Sequence, residues 1–180
     1  MYLRPKPDGK TKQVLMGMHF YAWIAFIWMI LYAGGSLFEL ITGVLDGEQK
    51  VTLFQDAAMV PIRQFSVWHY AIFGSYTVAL FVLKSFLLFY LIRFLFKMNP
   101  VNPFNRDIAR ILEKISYTLI LATIIVLLHD IHAAWLPASV KSFPEFWNLN
   151  EYLFVTGLVY IIARVFKRGV ALQSEKDLII

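Results

Sequence analysis

The stretch VWHYAIFGSYTVALFVLKSFLLFYLIRFLF, residues 67–96, decides the fold class of this chain. Lys84 and Arg93 are its only fully charged side chains, and long, mainly apolar runs precede and separate them. A helix crosses the hydrocarbon core of a bilayer with about 20 residues, whereas the strands of a membrane barrel alternate polar and apolar residues. The stretch therefore predicts a membrane-spanning helix.

Three further segments have the same character, so the sequence predicts an all-α, integral membrane four-helix bundle, a single domain over residues 1–180. Soluble domains are about half apolar and a quarter charged, but this chain is 59% hydrophobic and 16% charged. The first segment follows a basic leader but is too long and too aromatic for a cleaved signal peptide, so we expect an uncleaved span. The expected spans are residues 14–38, 67–96, 115–136 and 147–166, followed by a tail at 167–180.

Basic residues predict the orientation of these spans. They cluster before span one, between spans two and three, and after span four, whereas the other two connections carry only three of them. Because short loops rich in Lys and Arg stay in the cytoplasm, we expect both termini and the central connection inside the cell. Trp68, Trp135 and Trp147 then lie at the outer interface, where indole rings are enriched.

The connections carry signals of their own. Apolar residues within 53–60 indicate a short piece on the outer membrane surface. On the cytoplasmic side, Pro100 and Pro103 end the second span because proline lacks the backbone donor. Asn105 can then cap a new helix with an apolar face. The sequence therefore predicts a short interfacial helix before span three, with its basic face towards lipid headgroups or a partner.

The stretch LLHDIHAAW, residues 127–135, carries the strongest candidate for a binding site. His129 and His132 share one helix face, Asp130 lies beside them, and His69 begins span two at the same expected depth. Imidazole and carboxylate groups bind divalent metals, and two histidines from different helices can bind a haem axially. Alternatively, these polar groups lie in the wet interface without a ligand, because their spacing matches no specific metal motif.

The sequence favours a non-enzymatic protein. It contains no cysteine and no GxSxG motif, and its basic residues flank apolar runs instead of forming one patch, which argues against direct nucleic-acid binding. The four apolar segments show no inverted repeat of the kind that is typical of transporters. A small channel or transporter, built as a homo-oligomer and using Lys84 and Glu151, stays open as an alternative.

Two cytoplasmic motifs, NPFNRDIARILEKI and FKRGVALQSEKDLII, resemble the bacterial family catalogued as domain of unknown function 2975. This family consists of small four-span proteins, often encoded beside a helix-turn-helix regulator. The resemblance implies a membrane protein that regulates such a partner, with no established biochemical activity to carry over. The matching positions are Asn102, Pro103 and Phe104, then Phe166, Arg168, Gly169, Leu172, Gln173, Glu175, Asp177, Leu178 and Ile180.

The tail fits such a role. We expect Gly169 to end the fourth helix in a left-handed cap and the apolar residues after it to be covered by the protein's own loop, by lipid or by a partner. Residues Asp177–Ile180, if extended, could add to the sheet edge of another chain. The sequence therefore predicts a sensor or anchor that holds a cytoplasmic regulator through the Asn102–Phe104 loop and the tail.

Overall fold

The computed structural model describes residues 9–45, 59–98, 105–138, 140 and 148–176. The residues described form helices and no strand, which confirms the all-α prediction. Four of the helices are long and apolar enough to cross a membrane, namely α1, α3, α4 and α5. The helices are α1 (Gly9–Leu45), α2 (Met59–Phe65), α3 (Val67–Lys97), α4 (Arg106–Ala134) and α5 (Leu149–Lys176).

The four long helices are antiparallel, and each packs on its neighbours in sequence. The hydroxyl of Tyr70, near the start of α3, donates to the carbonyl of Glu39, near the end of α1, at 3.3 Å. At the other end of the pair, the ring of Phe96 packs edge-on against His19 with 5.0 Å between ring centroids. Among the described residues, the backbone of α1 approaches only α3, and that of α5 approaches only α4. The helix bundle is therefore open between α1 and α5.

Helix α4 is the central helix. Within its apolar segment 39% is buried inside the protein, against 6% for α1 and 11% for α5. Ala122 and Val126 pack with Leu80 of α3, and Thr123 Oγ1 lies 2.8 Å from Thr156 Oγ1 of α5. Small side chains at these contacts allow the helices to approach closely, so α4 joins both of its neighbours.

The helix expected before span three is present and is continuous with that span. It forms the beginning of α4, which runs without a break to Ala134. Asn105 Oδ1 accepts a hydrogen bond from the backbone N–H of Asp107 at 3.0 Å and so caps the helix. No glycine or proline follows to interrupt the backbone hydrogen bonds. Ile108 and Leu112 are buried against Ala163 of α5, so the apolar face packs on protein.

The structure also corrects the expected end of the fourth helix. Helix α5 continues through Gly169 to Lys176, so Gly169 does not form a left-handed cap. A glycine inside a helix costs about 1 kcal/mol relative to alanine, and the residues after it, VALQSEK, are mostly good helix formers that offset this cost. Leu172 lies on this extension and is 62% exposed.

The two ends of the bundle differ in charge. We call the end that carries His69 and His132 the histidine end and the opposite end the basic end. Among the described side chains, Arg63 is the only lysine or arginine at the histidine end. Trp68 and Trp135 are there, 80% and 83% exposed. The basic end carries Arg93, Lys97, Arg106, Arg110, Lys114, Arg164, Lys167 and Arg168.

Candidate functional site

The structure brings two of the predicted site residues into direct contact. Nδ1 of His69 on α3 lies 2.9 Å from Nε2 of His132 on α4, a hydrogen bond between the rings. Phe73 stacks on His132, with 4.5 Å between ring centroids and 19° between ring planes. Phe65 of α2 stacks on His69 at 5.6 Å. The pair is therefore held by aromatic rings as well as by its own hydrogen bond.

The third histidine is close to this pair but has a different hydrogen bond. His129 is 8% exposed, and its Nδ1 lies 3.1 Å from Oδ1 of Asp130. Its ring packs edge-on against Phe73, at 5.2 Å, and against Tyr76, at 6.2 Å. The sequence interpretation omitted Phe73 and Tyr76, although they follow His69 by four and seven residues and so lie on the same face of α3.

The distances favour a hydrogen-bonded histidine pair over a shared metal ion. Two nitrogens bound at 2.0–2.1 Å to one tetrahedral metal lie about 3.3 Å apart, and axial ligands of a haem iron lie about 4 Å apart. The two rings are 2.9 Å apart at their nearest nitrogens. Within the part of the chain that the structure describes, no three His, Cys, Asp or Glu side chains are grouped as metal ligands. The geometry therefore gives the metal and haem alternatives no support.

A hydrogen bond between two histidine rings requires at least one neutral ring. One ring donates and the other accepts, and a protonated imidazole has no acceptor. Two charged rings with centroids 5.1 Å apart would repel by about 3 kcal/mol at an effective dielectric constant of 20. This repulsion exceeds the roughly 1 kcal/mol that a neutral hydrogen bond contributes. The contact between His69 and His132 is therefore compatible with one charged ring but not with two.

The other predicted polar residues are dispersed. Glu39 is buried on α1, 8% exposed, and Glu151 is exposed in the first turn of α5. Lys84 lies seventeen residues into α3, about 25 Å from the histidine end, with its amino group 5.6 Å from the ring centroid of Phe81. Lys84 and Glu151 therefore lie at different depths of the bundle.

The predicted partner-binding residues are described only in part. Asn102, Pro103, Phe104, Asp177, Leu178 and Ile180 lie outside the described residues. Arg168, Gly169, Leu172, Gln173 and Glu175 all belong to α5.

Two ion pairs join the helices at the basic end. Lys97 Nζ of α3 lies 2.6 Å from Asp107 Oδ2 of α4, and Lys167 Nζ of α5 lies 3.0 Å from Glu113 Oε1 of α4. Exposed pairs of this kind contribute about 0–1 kcal/mol each, so their main effect is to set how the helix ends align.

Comparison of the chain with protein-family models, with curated proteins and with solved structures finds no match. Function is therefore argued from the geometry of the helices and from the cytoplasmic motifs.

Proposed function

We propose that this chain is a non-enzymatic, multi-pass protein of a bacterial inner membrane that acts as a sensor or anchor for a small cytoplasmic helix-turn-helix regulator. The partner is the one that the resemblance to domain of unknown function 2975 implies. The observation that carries the proposal is the extension of α5 beyond its apolar segment, where a continuous helix presents the exposed Leu172 among charged residues.

The charge difference between the two ends supports the orientation. The basic end carries nearly all of the described lysine and arginine side chains, and such residues favour the cytoplasmic side. The histidine end carries the exposed indole rings of Trp68 and Trp135, which suit the opposite interface. Because four antiparallel spans return the chain to its starting side, both termini are then cytoplasmic.

The length of α5 supports a docking role. Its 28 residues are about 42 Å long, which exceeds a hydrocarbon core of about 30 Å. Lys167 and Arg168 mark the level at which α5 leaves the hydrocarbon, since charged groups are costly inside it. The turns that follow extend into the cytoplasm with Leu172 exposed. An exposed apolar residue on such a helix is suited to a groove on a partner.

The histidine pair supplies a means of sensing. Helix α4 runs unbroken from the His132 contact to the Lys97–Asp107 ion pair at the opposite end. A change that separates His69 from His132 therefore moves α4 relative to α3, and the movement reaches the basic end because α4 is a continuous helix.

The docking proposal is tested by exchanging one exposed leucine. In a bacterial two-hybrid assay, the chain is paired with the helix-turn-helix regulator that the resemblance implies beside it. Leu172→Glu should lower the interaction signal at least tenfold. The matched control is Leu45→Glu, because Leu45 is 75% exposed at the histidine end, and this variant should keep the full signal. An unchanged signal for Leu172→Glu ends the docking proposal.

The orientation has its own test. A green fluorescent protein fused after residue 180 should fluoresce, because this reporter folds in the cytoplasm. Alkaline phosphatase inserted within residues 141–147 should be active, because this enzyme folds only in the periplasm. Active phosphatase fused after residue 180 would place the carboxyl terminus outside and refute the orientation.

A further inference from the structure

A cleft between α4 and α5 at the basic end has no role in the proposed docking. It is a shallow cleft that is partly open to the surroundings, with a cavity volume of about 10 Å³. We call it the α4–α5 cleft. It is lined by Glu113, Ser116 and Tyr117 of α4 and by Tyr160, Ala163, Arg164 and Lys167 of α5.

The lining of the cleft includes a buried hydroxyl group without a partner. Ser116 is 2% exposed, and its Oγ has no hydrogen-bond partner among the described residues. Ser75 and Ser85 of α3 satisfy their hydroxyl groups locally, by donating to the carbonyl four residues earlier at 2.7 and 2.9 Å. Ser36 of α1 is buried and unpaired as Ser116 is, but of these two only Ser116 lines the cleft. A buried polar group left unpaired costs about 1–3 kcal/mol, so a ligand in the cleft that accepts from the Ser116 hydroxyl would remove this cost.

The charged groups of the cleft favour an anion. Nε and Nη2 of Arg164 both donate to the hydroxyl of Tyr160, at 3.0 and 2.8 Å. This contact fixes the guanidinium group beside the cleft while using only part of its five donors. Lys167 pairs with Glu113 at 3.0 Å, which neutralises the one carboxylate in the lining. Arg164 thus supplies the net positive charge of the α4–α5 cleft.

The depth of the cleft identifies the source of the anion. Ser116 precedes His132 by sixteen residues on α4, about 24 Å along the helix axis. Since a hydrocarbon core is about 30 Å thick, Ser116 lies close to the headgroup level at the basic end. Tyr117, 55% exposed, provides apolar surface for an acyl chain beside the charged groups.

We propose that the α4–α5 cleft binds the phosphate group of an anionic phospholipid. Arg164 is the principal cation, Ser116 donates its otherwise unpaired hydroxyl, and the acyl chains lie against the apolar wall. Basic pockets between membrane helices bind lipid headgroups in this way. The proposal requires only that the four helices span a bilayer, and it is independent of the regulator that we propose for the α5 extension.

The test measures lipid binding to the purified full chain in detergent, by native mass spectrometry and by thermal unfolding. Phosphatidylglycerol should be retained and should raise the unfolding temperature, whereas phosphatidylcholine and inorganic phosphate should do neither. Arg164→Gln should weaken phosphatidylglycerol binding by roughly tenfold, the loss of one charged hydrogen bond. The matched control is Arg110→Gln, an exposed arginine at the same end but outside the lining, which should bind as the wild type does.

Ser116→Ala separates a binding role from a structural one. Because the hydroxyl has no partner in the protein, the lipid-free variant should unfold at the wild-type temperature or above it. Its stabilisation by phosphatidylglycerol should be smaller than that of the wild type. Three results overturn the proposal: equal losses for Arg164→Gln and Arg110→Gln, equal stabilisation by inorganic phosphate, or wild-type lipid stabilisation of Ser116→Ala.

Discussion

Replacing Gly43 by alanine tests how α1 packs on α3. An alanine Cβ at this position would lie 2.7 Å from Cζ and 2.9 Å from Cε1 of Tyr70, distances at which the ring must move. Tyr70 is 2% exposed, and its hydroxyl donates to the carbonyl of Glu39, so the ring has no space to move into. Overpacking of this kind costs about 1–3 kcal/mol.

The helix propensity of alanine opposes this cost. Alanine is about 1 kcal/mol better than glycine inside a helix, so the net destabilisation expected for Gly43→Ala is up to about 2 kcal/mol. Gly34 provides the control on the same helix, because no atom lies within 4 Å of a Cβ built there. Gly34→Ala should therefore stabilise the protein by about 0.5–1 kcal/mol. One substitution at two positions of α1 should thus change the free energy of unfolding in opposite directions.

Equilibrium unfolding in mixed micelles, with increasing sodium dodecyl sulfate, measures both changes. Combining Gly43→Ala with Tyr70→Ala should remove most of the added cost, because the smaller side chain at position 70 leaves room for the new methyl group. If Gly43→Ala and Gly34→Ala change the free energy of unfolding by the same amount, then α1 does not pack against Tyr70 in this way.

Three further changes probe other contacts. Thr123→Val and Thr156→Val, alone and combined, should show a coupling of about 0.6 kcal/mol in micelle unfolding, since their hydroxyls lie 2.8 Å apart; purely additive effects would refute the hydrogen bond. His69→Phe and His132→Phe, alone and combined, should show a coupling of about 1 kcal/mol, since their ring nitrogens lie 2.9 Å apart, and purely additive effects would contradict the hydrogen bond between the rings. Asn105→Ala should destabilise the start of α4 by about 1 kcal/mol, seen as faster amide exchange in its first turn, while exchange in α5 stays unchanged.

The sequence predicts the helix boundaries well where a backbone signal exists. Span two, expected at 67–96, is helix α3 at Val67–Lys97, and its end fits the proline at position 100. Span one, expected to end at residue 38, instead continues to Leu45. Helix α3 packs against the turn of α1 that contains Glu39 and buries this residue to 8% exposure. Burial by a neighbouring helix is a tertiary effect that the hydropathy of α1 alone does not reveal.

For the candidate site too, the sequence predicts where the residues lie along the helices but not which atoms they contact. The expected orientation of the spans and the i, i+3 spacing placed His129 and His132 at the depth of His69, and the structure places all three there. Which nitrogen meets which partner depends on how far α3 and α4 are rotated about their axes. That rotation is set by contacts such as Leu80 on Val126, so the sequence left open whether these residues bind a metal or lie at the interface without a ligand, and it did not predict the hydrogen bond between the two rings. The unpaired hydroxyl of Ser116 likewise becomes visible only once its surroundings are known.

The contacts of α4 with its two neighbours explain how the long helices are arranged. Val126 packs with Leu80 of α3, whereas Thr123 Oγ1 lies 2.8 Å from Thr156 Oγ1 of α5. At 100° per residue, side chains three residues apart point about 60° from one another, so α3 and α5 lie against adjacent faces of α4. Tyr152 of α5 accordingly packs against the cluster that contains Leu80. Because α3 and α5 both pack on α4 at this level, a displacement of α4 that begins at the histidine end acts on both helices together.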